Sequence, residues 1–375
     1  MNKRYGDGSL YLRGRIWWIA YIHPDGTRRR ESSESDRPQV AARLLRKRTG
    51  AKASGLPVIV HAERLTFRDG AKMMTDDFTA NKKRSLRVVQ LRIDKHLMPV
   101  FGTRRLASLT SADVTAYIAK RQTDTIVTRT AKRPVSNGSI NRELQILKRI
   151  FSLAVQSGQM AMKPAIKMLR EAPARSGFFE SDQLSSVVAH LPTEIQPVIR
   201  FAAISGWRIG SEVLKLEWRN VDFEAGEVRL DAGSTKNGEA RTFPFTDSLR
   251  DVLEAQHVEH ERLKKAGMIC PLVFFRMRAD RPGGERKPTA ITSFVVAWKL
   301  ACKAAGCPGR IPHDLRRTAI RSFTRAGISE QVAMRLSGHK TRSVFDRYDI
   351  VSGGDLREAA SRLNLPRLAA AQLHA

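Results

Sequence analysis

The chain has 375 residues, length enough for two or three domains and a full-sized core. Its hydrophobic share of 42% is that of a globular protein, but 66 Lys+Arg against 37 Asp+Glu leave a net charge of +29, so a polyanion, DNA or RNA first, is the expected partner. Cys270, Cys302 and Cys307 form no CxxC pair, which excludes a disulfide framework and a zinc signature, and no apolar run approaches the roughly 20 residues that span a bilayer. The charged, polar start carries no signal-peptide pattern, and a reducing, nucleoid-associated cytoplasmic location is expected.

Residues 9–31 read as a small sheet. Ser9 to Leu12 and Arg15 to Ile22 are rich in aromatic and β-branched residues, Gly14 separates them, and Pro24-Asp25-Gly26 turns the chain into a third strand, Thr27 to Glu31. Asp36 is expected to cap a helix to about Arg48, with Val40, Leu44 and Leu45 on its apolar side. Arg28, Arg29 and Arg30 point to contact with DNA. A linker follows over residues 50–60.

Residues 62–165 predict a helical domain. Phe67, Ala71, Met74 and Phe78 recur at helical spacing, as do Leu86, Val89, Ile93 and Leu97. Ser111 is expected to cap the helix of Val114, Tyr117 and Ile118. The clearest helix starts after Ser139, with Ile140, Leu144, Leu147, Phe151 and Ala154 in one stripe and Gly158 at its end. Residues 61–175 carry 23 basic against 9 acidic side chains, the strongest bias in the chain, and Lys82, Lys83 and Arg84 are assigned to the phosphate backbone. Residues 172–177 mark a second linker.

Residues 176–350 predict a mainly helical domain with one hairpin, Glu227 to Asp231 and Ala240 to Phe245 joined around Asn237-Gly238. A tail, 351–375, has a Gly353-Gly354 hinge, a short helix over 355–363 and an Ala/Leu-rich end. The fold class expected is multidomain, mainly α with small β-sheets.

Within residues 176–350 five segments stand in an order that suits metal-free attack on a phosphodiester: Ser205-Gly206-Trp207-Arg208, Thr235-Lys236-Asn237-Gly238, His313-Asp314-Leu315-Arg316, Leu336-Ser337-Gly338-His339, and Tyr348. Such attack builds negative charge on the nonbridging oxygens. Two guanidiniums, Arg208 and Arg316, can grip them and stay charged at any working pH. Arg208 is expected to open an apolar helix with Val213, Leu214, Leu216 and Trp218. Lys236, at the hairpin tip, can protonate a leaving 5′ oxygen. His313 and Arg316 are i, i+3 on one helix face, where they can grip one phosphate. Tyr348, nine residues past His339, would be the nucleophile. Its hydroxyl, with an ordinary pKa of about 10, needs a base and cations to act. The resulting phosphotyrosine stores the bond energy, so neither ATP nor a metal or other cofactor is required. Taken singly, each residue has a plainer reading: one Arg among 66 basic residues, an exposed hairpin Lys, structural histidines. The set outweighs those readings.

Over residues 178–350 these motifs resemble the catalytic domain of the tyrosine recombinase (phage integrase) family. The run His313-Asp314-Leu315-Arg316-Arg317-Thr318, the Leu-Ser-Gly-His segment, the Tyr nine residues later, and the Thr-Lys-Asn-Gly turn followed by Arg241 and Pro244 carry the likeness. The resemblance implies Tyr348 as nucleophile, Arg208 and Arg316 as phosphate clamps, Lys236 as general acid, His313 as proton-transfer partner and His339 as a hydrogen bonder to phosphate. The family's supporting acidic residue commonly lies three positions after the first Arg; here Glu212 lies four on. Residues 62–165 resemble the core-binding domain that closes a clamp on DNA, and residues 1–50 the arm-type DNA-binding domain of lambda-type integrases. The implied function is integration and excision of a mobile element through a Holliday junction. The implied assembly is a homotetramer on double-stranded DNA, helped by DNA-bending and directionality proteins, with a C-terminal element passed between protomers.

Three rivals compete with this reading. A type IB topoisomerase shares the chemistry, but the N-terminal sheet argues against it. A decayed, non-catalytic integrase would be expected to have lost some of the six residues. A metal-dependent transposase or nuclease needs clustered carboxylates, and the acidic residues here are scattered.

Overall fold

The computed structural model describes residues 3–5, 8–23, 26–53, 64–127, 132–173, 177–233, 238–281, 283–346, 348, 356–357 and 360–361. The chain divides into two units, Met1–Pro173 and Ala174–Ala375.

The first unit begins with a four-stranded antiparallel sheet in chain order: β1 (Lys3–Tyr5), β2 (Gly8–Arg13), β3 (Ile16–Ile22) and β4 (Arg28–Ser32). Three strands were expected; β1 is too short and polar to be read from its residues. Strand alternation turns Leu10, Ile19 and Tyr21 onto α1 (Pro38–Ala53), where they pack with Ala41 and Leu45. The helix starts at Pro38, whose fixed φ suits a first turn, and runs past the expected end into the predicted linker. Its inward residues are Ala41 and Leu45, while Val40 is exposed. Glu31, on the same face as Ile19, is buried against Arg48 at 2.6 Å. Register therefore splits the arginine run. Arg29 shares the helix-side phase with Tyr21 and Glu31; Arg28 and Arg30 pair with Ile22 and Ala20 on the opposite face. All three are exposed.

The helical part of this unit comprises α2 (Phe67–Ala80), α3 (Leu86–Arg92), α4 (Met98–Phe101), α5 (Ser111–Thr123) and α6 (Asn137–Gln156). A two-stranded ribbon that the sequence did not announce, β5 (Thr125–Val127) with β6 (Lys132–Pro134), precedes α6. Two caps differ from expectation by one to three residues. Thr110, not Ser111, caps α5 in a reciprocal box with Asp113, and Ser136, not Ser139, caps α6. Between α3 and α4 the helix widens into a π turn, Ile93–Leu97, where the Met98 N–H bonds the Ile93 carbonyl. Pro99 follows and has no N–H to continue an ordinary ladder. The predicted stripe of α6 is buried in full, with Ile146 and Ile150 beside it. Lys82, Lys83 and Arg84 lie exposed in the turn from α2 to α3.

The second unit contains α7 (Ser181–Ala189), α8 (Gln196–Ser205), an antiparallel sheet β7 (Val221–Asp222), β8 (Glu227–Leu230), β9 (Arg241–Pro244), then α9 (Asp247–Lys265), a hairpin β10 (Phe275–Ala279) and β11 (Arg286–Ala290), and α10 (Val295–Ala304), α11 (Asp314–Arg325), α12 (Glu330–Ser337) and α13 (Arg342–Phe345). Expectation was one hairpin. The second escapes a reading of the sequence because Arg286 to Ala290 is polar with a central Pro288, tolerable only in a two-stranded ribbon. The expected hairpin is present: β8 ends at Leu230 and β9 starts at Arg241, the Gly233 N–H bonds the Gly238 carbonyl at 3.0 Å between them, and Asn237 lies outside the described residues. Phe201, Trp207, Phe274, Trp298, Leu315 and Ile320 anchor one core. Gly353, Gly354 and most of the predicted tail helix lie outside the described residues. The architecture is the expected one, mainly helical with small antiparallel sheets.

Candidate active site

Helix α8 ends at Gly206, whose φ of 67° is the left-handed value of a helix stop. Its carbonyl then faces α11 and accepts from Arg316 Nη1 at 2.6 Å. Trp207 is buried, its Nε1 donating to the Leu336 carbonyl at 3.0 Å, so the residue before Arg208 is nailed to the end of α12. Arg208 does not open a helix, contrary to expectation. The Glu212 N–H bonds the Arg208 carbonyl at 2.9 Å, but the turn gives way to a 3₁₀ step, Val213–Lys215, and Leu216 is extended. That single turn has a purpose: Glu212 accepts from the Arg208 N–H at 2.8 Å and from Arg208 Nη1 at 2.7 Å. A spacing of four closes where three is the family habit. Burial pushes the Glu212 carboxyl up, but the Arg208 N–H and the Arg241 and Arg208 charges outweigh it and hold it below its ordinary range.

His313 and Arg316 stand at the start of α11. Asp314, fully buried, accepts from the Ile311 N–H at 2.9 Å and from Arg317 Nη1 at 2.7 Å, which ties down the helix start. His313 Nε2 lies 2.8 Å from Tyr348 Oη. Arg316 is 2% exposed, and its Nη2 lies 3.1 Å from His339 Nε2. Helix α12 stops at Gly338, φ 72°, and His339 turns back so that its Nδ1 meets Ser337 Oγ at 2.9 Å. The Tyr348 ring sits 4.8 Å from His339 and 5.5 Å from His313, centroid to centroid, with the Arg316 guanidinium 5.8 Å from its centre. Five of the six predicted residues are thus gathered. The sixth, Lys236, lies outside the described residues.

The electrostatics are those of buried cations close together. Burial, then the Arg208 charge, pushes the Arg316 guanidinium down to about 9. Burial, then Arg316, pushes His339 down to about 3 and lowers His313 as well. A cavity of about 250 Å³ opens between Trp207, Arg208, Gly210, Pro312, His313 and Arg316. An anion there would relieve the mutual repulsion of Arg208 and Arg316. Among the described residues, no group of three or more His, Cys, Asp or Glu could hold a metal ion.

One residue of the cluster has no role assigned by the sequence, where it stands only as part of a motif. Arg241, buried on β9, donates from Nη1 to Glu212 at 3.2 Å. Its signal was phase: it alternates with Thr242 and shares the inward side with Phe243.

Residues 178–352 match the model of the phage integrase family. Among curated proteins the chain is 22% identical over 378 residues to the integrase of Salmonella phage P22, covering 95% of this chain and 94% of that one. It is 24% identical over 285 residues to a putative integrase/recombinase of Haemophilus influenzae, 73% and 82% of the two chains. Its fold matches a lambda integrase dimer bound to a COC′ core site, with a TM-score of 0.56 at 17% identity over 91% of this chain and 94% of the other. It also matches residues 82–397 of the Tn1549 transposon integrase in complex with circular intermediate DNA, TM-score 0.56 at 14% identity, 79% and 99% covered.

Proposed function

We propose that this protein is a site-specific tyrosine recombinase that integrates and excises a mobile element. It would act as a homotetramer on double-stranded attachment sites, through a Holliday junction. The observation that carries the reading is the 2.8 Å approach of Tyr348 Oη to His313 Nε2 beside a pocket walled by Arg208 and Arg316.

The chemistry follows from those atoms. The scissile phosphate occupies the pocket, its nonbridging oxygens gripped by the two guanidiniums. Tyr348 Oη attacks phosphorus while His313, held neutral near pH 7 by its lowered pKa, takes the phenolic proton. The bond to the 5′ oxygen breaks, and Lys236 supplies the proton to that oxygen. His339, kept uncharged, hydrogen-bonds a nonbridging oxygen. A 3′-phosphotyrosine remains. Attack by a 5′ hydroxyl from the partner duplex reverses each step, and the energy of the broken bond is kept in the phosphotyrosine. Glu212 serves by holding Arg208. Residues 1–50 are assigned to arm-type sites, with Arg28 and Arg30 on the open sheet face as contacts, and residues 62–165 to the core site, with Lys82, Lys83 and Arg84 on phosphates. Accessory bending and directionality proteins complete the assembly.

The test uses nicked duplexes taken from DNA flanking the gene. Wild type is expected to form a covalent adduct that resists SDS; Tyr348→Phe should bind the same duplex in a gel shift and form none. Binding by wild type without an adduct, on one duplex or on paired duplexes, would identify a non-catalytic relative instead.

A further inference from the structure

Arg241 occupies a position that the chemistry above leaves unused. Its guanidinium lies between two elements of the site. On one side is the Trp207 ring, 5.7 Å away at its centre. On the other is Gly338, where a Cβ would fall on the guanidinium carbon and nitrogens, so any side chain there would displace the guanidinium from its place. Gly338 is also the left-handed stop that turns His339 back toward Arg316. From this slot Nη1 reaches the Glu212 carboxylate, which holds the backbone and the guanidinium of Arg208. Two residues earlier, Glu239 pairs with Lys340 at 2.9 Å. Strand β9 and its lead-in thus grasp the chain on both sides of His339.

Burying a guanidinium is costly, and burial does lower the pKa of Arg241. A group tolerated at that cost between Glu212 and Gly338 has a task that an apolar side chain of similar size would not perform. Arg241 does not line the cavity between Arg208 and Arg316. Its reach is indirect: through Glu212 to Arg208, and through Gly338 to His339.

Resting on the recombinase reading, we propose that Arg241 is a positioning residue for strand cleavage, locking the Glu212–Arg208 pair to the Gly338-His339 turn so that both sides of the phosphate site hold one spacing. Without it Glu212 has only Arg208 to orient it, and the Gly338 turn loses the planar group packed on it. Displacement of catalytic groups by about 1 Å is enough to slow an enzyme on the order of 100-fold.

The experiment measures single-turnover adduct formation on nicked duplexes at saturating DNA, together with affinity by gel shift and thermal unfolding, all with the full chain. Arg241→Met is expected to slow cleavage by about 100-fold, at unchanged affinity. Arg241→Lys, which keeps the charge but not the planar fork, should fall between it and wild type. Combined with Glu212→Gln, Arg241→Met should cost less than the product of the two single losses, because both cut the link through Glu212. A Met variant at the wild-type rate, a loss explained wholly by its unfolded fraction, or losses that multiply in the double variant would each overturn the assignment. Should Arg241→Met not fold, Arg241→Lys alone decides: slowed cleavage at wild-type affinity upholds the role, and wild-type rate refutes it. Wild type without any adduct would overturn the recombinase reading itself, and this role with it.

Discussion

His339 shows at the scale of one residue what burial among cations does to an imidazole. A free histidine would be half protonated near pH 6.5. Here burial, followed by Arg316, Arg208, Arg241 and His313, holds it down to about 3. The folded state therefore binds fewer protons than the unfolded chain between those two values, and stability rises with pH across the window. Acidification from pH 7 toward 4 is expected to lower the melting temperature of the second unit, and His339→Gln should flatten that slope. An unchanged slope in the variant would show that other groups carry the acid sensitivity. The same scale explains what motif reading reached. His313, Arg316, His339 and Tyr348 are marked by spacing along a short stretch of chain, whereas Arg241 is one arginine among many until β9 gives it a direction.

At the scale of elements, α2, α3, α5 and α6 repeat their apolar residues with such regularity that position and inward face follow from periodicity, whereas in α1 the expected Val40 is exposed. Their exact starts did not, since adjacent Ser and Thr residues compete as caps and only the fold chooses Thr110 and Ser136. Gly70 offers a sharper case. In the middle of α2 a glycine costs about 1 kcal/mol relative to alanine, so Gly70→Ala would stabilise an isolated helix. In the packed unit a Cβ would stand 2.6 Å from Ile150 Cγ2 on α6 and 2.8 Å from Leu106 Cδ1. Ile150 Cγ2 is attached next to the backbone and both side chains are fully buried, so neither can step aside. The substitution is expected to destabilise, by about 1–2 kcal/mol, seen as faster amide exchange in α2 and α6. Slower exchange would mean that propensity outweighs the clash. Among the strands missed from the sequence, β6, β10 and β11 are short ribbon strands carrying Lys, Arg or Pro, which give little strand signal, and β5, though β-branched throughout, is only the three residues Thr125–Val127.

Over the whole molecule the net charge of +29 sets a long-range expectation. Binding to DNA should weaken linearly in log affinity against log salt, with a slope of about −0.9 per phosphate neutralised. Replacing Lys82, Lys83 and Arg84 together by Ala should shorten that slope by about 1 for each phosphate no longer neutralised, while leaving adduct formation at saturating DNA near the wild-type rate. A slope that does not respond would remove this turn from the proposed interface.

Composition, helical stripes and motif spacing are properties of neighbouring residues, and they were enough to indicate a mainly helical, strongly basic protein and to single out His313, Arg316, His339 and Tyr348, which the fold brings together. Convergence is a different matter. Gly206 meets Arg316, Trp207 meets Leu336, and His313 meets Tyr348 across long stretches of chain. Those meetings depend on how α8, α11 and α12 share one core, and on glycines at 206 and 338 whose left-handed stops turn the chain inward. The loop form of Arg208, the grip of Glu212 and the slot of Arg241 emerge only there. Each is a bargain between burial and charge, struck among side chains that are distant in sequence.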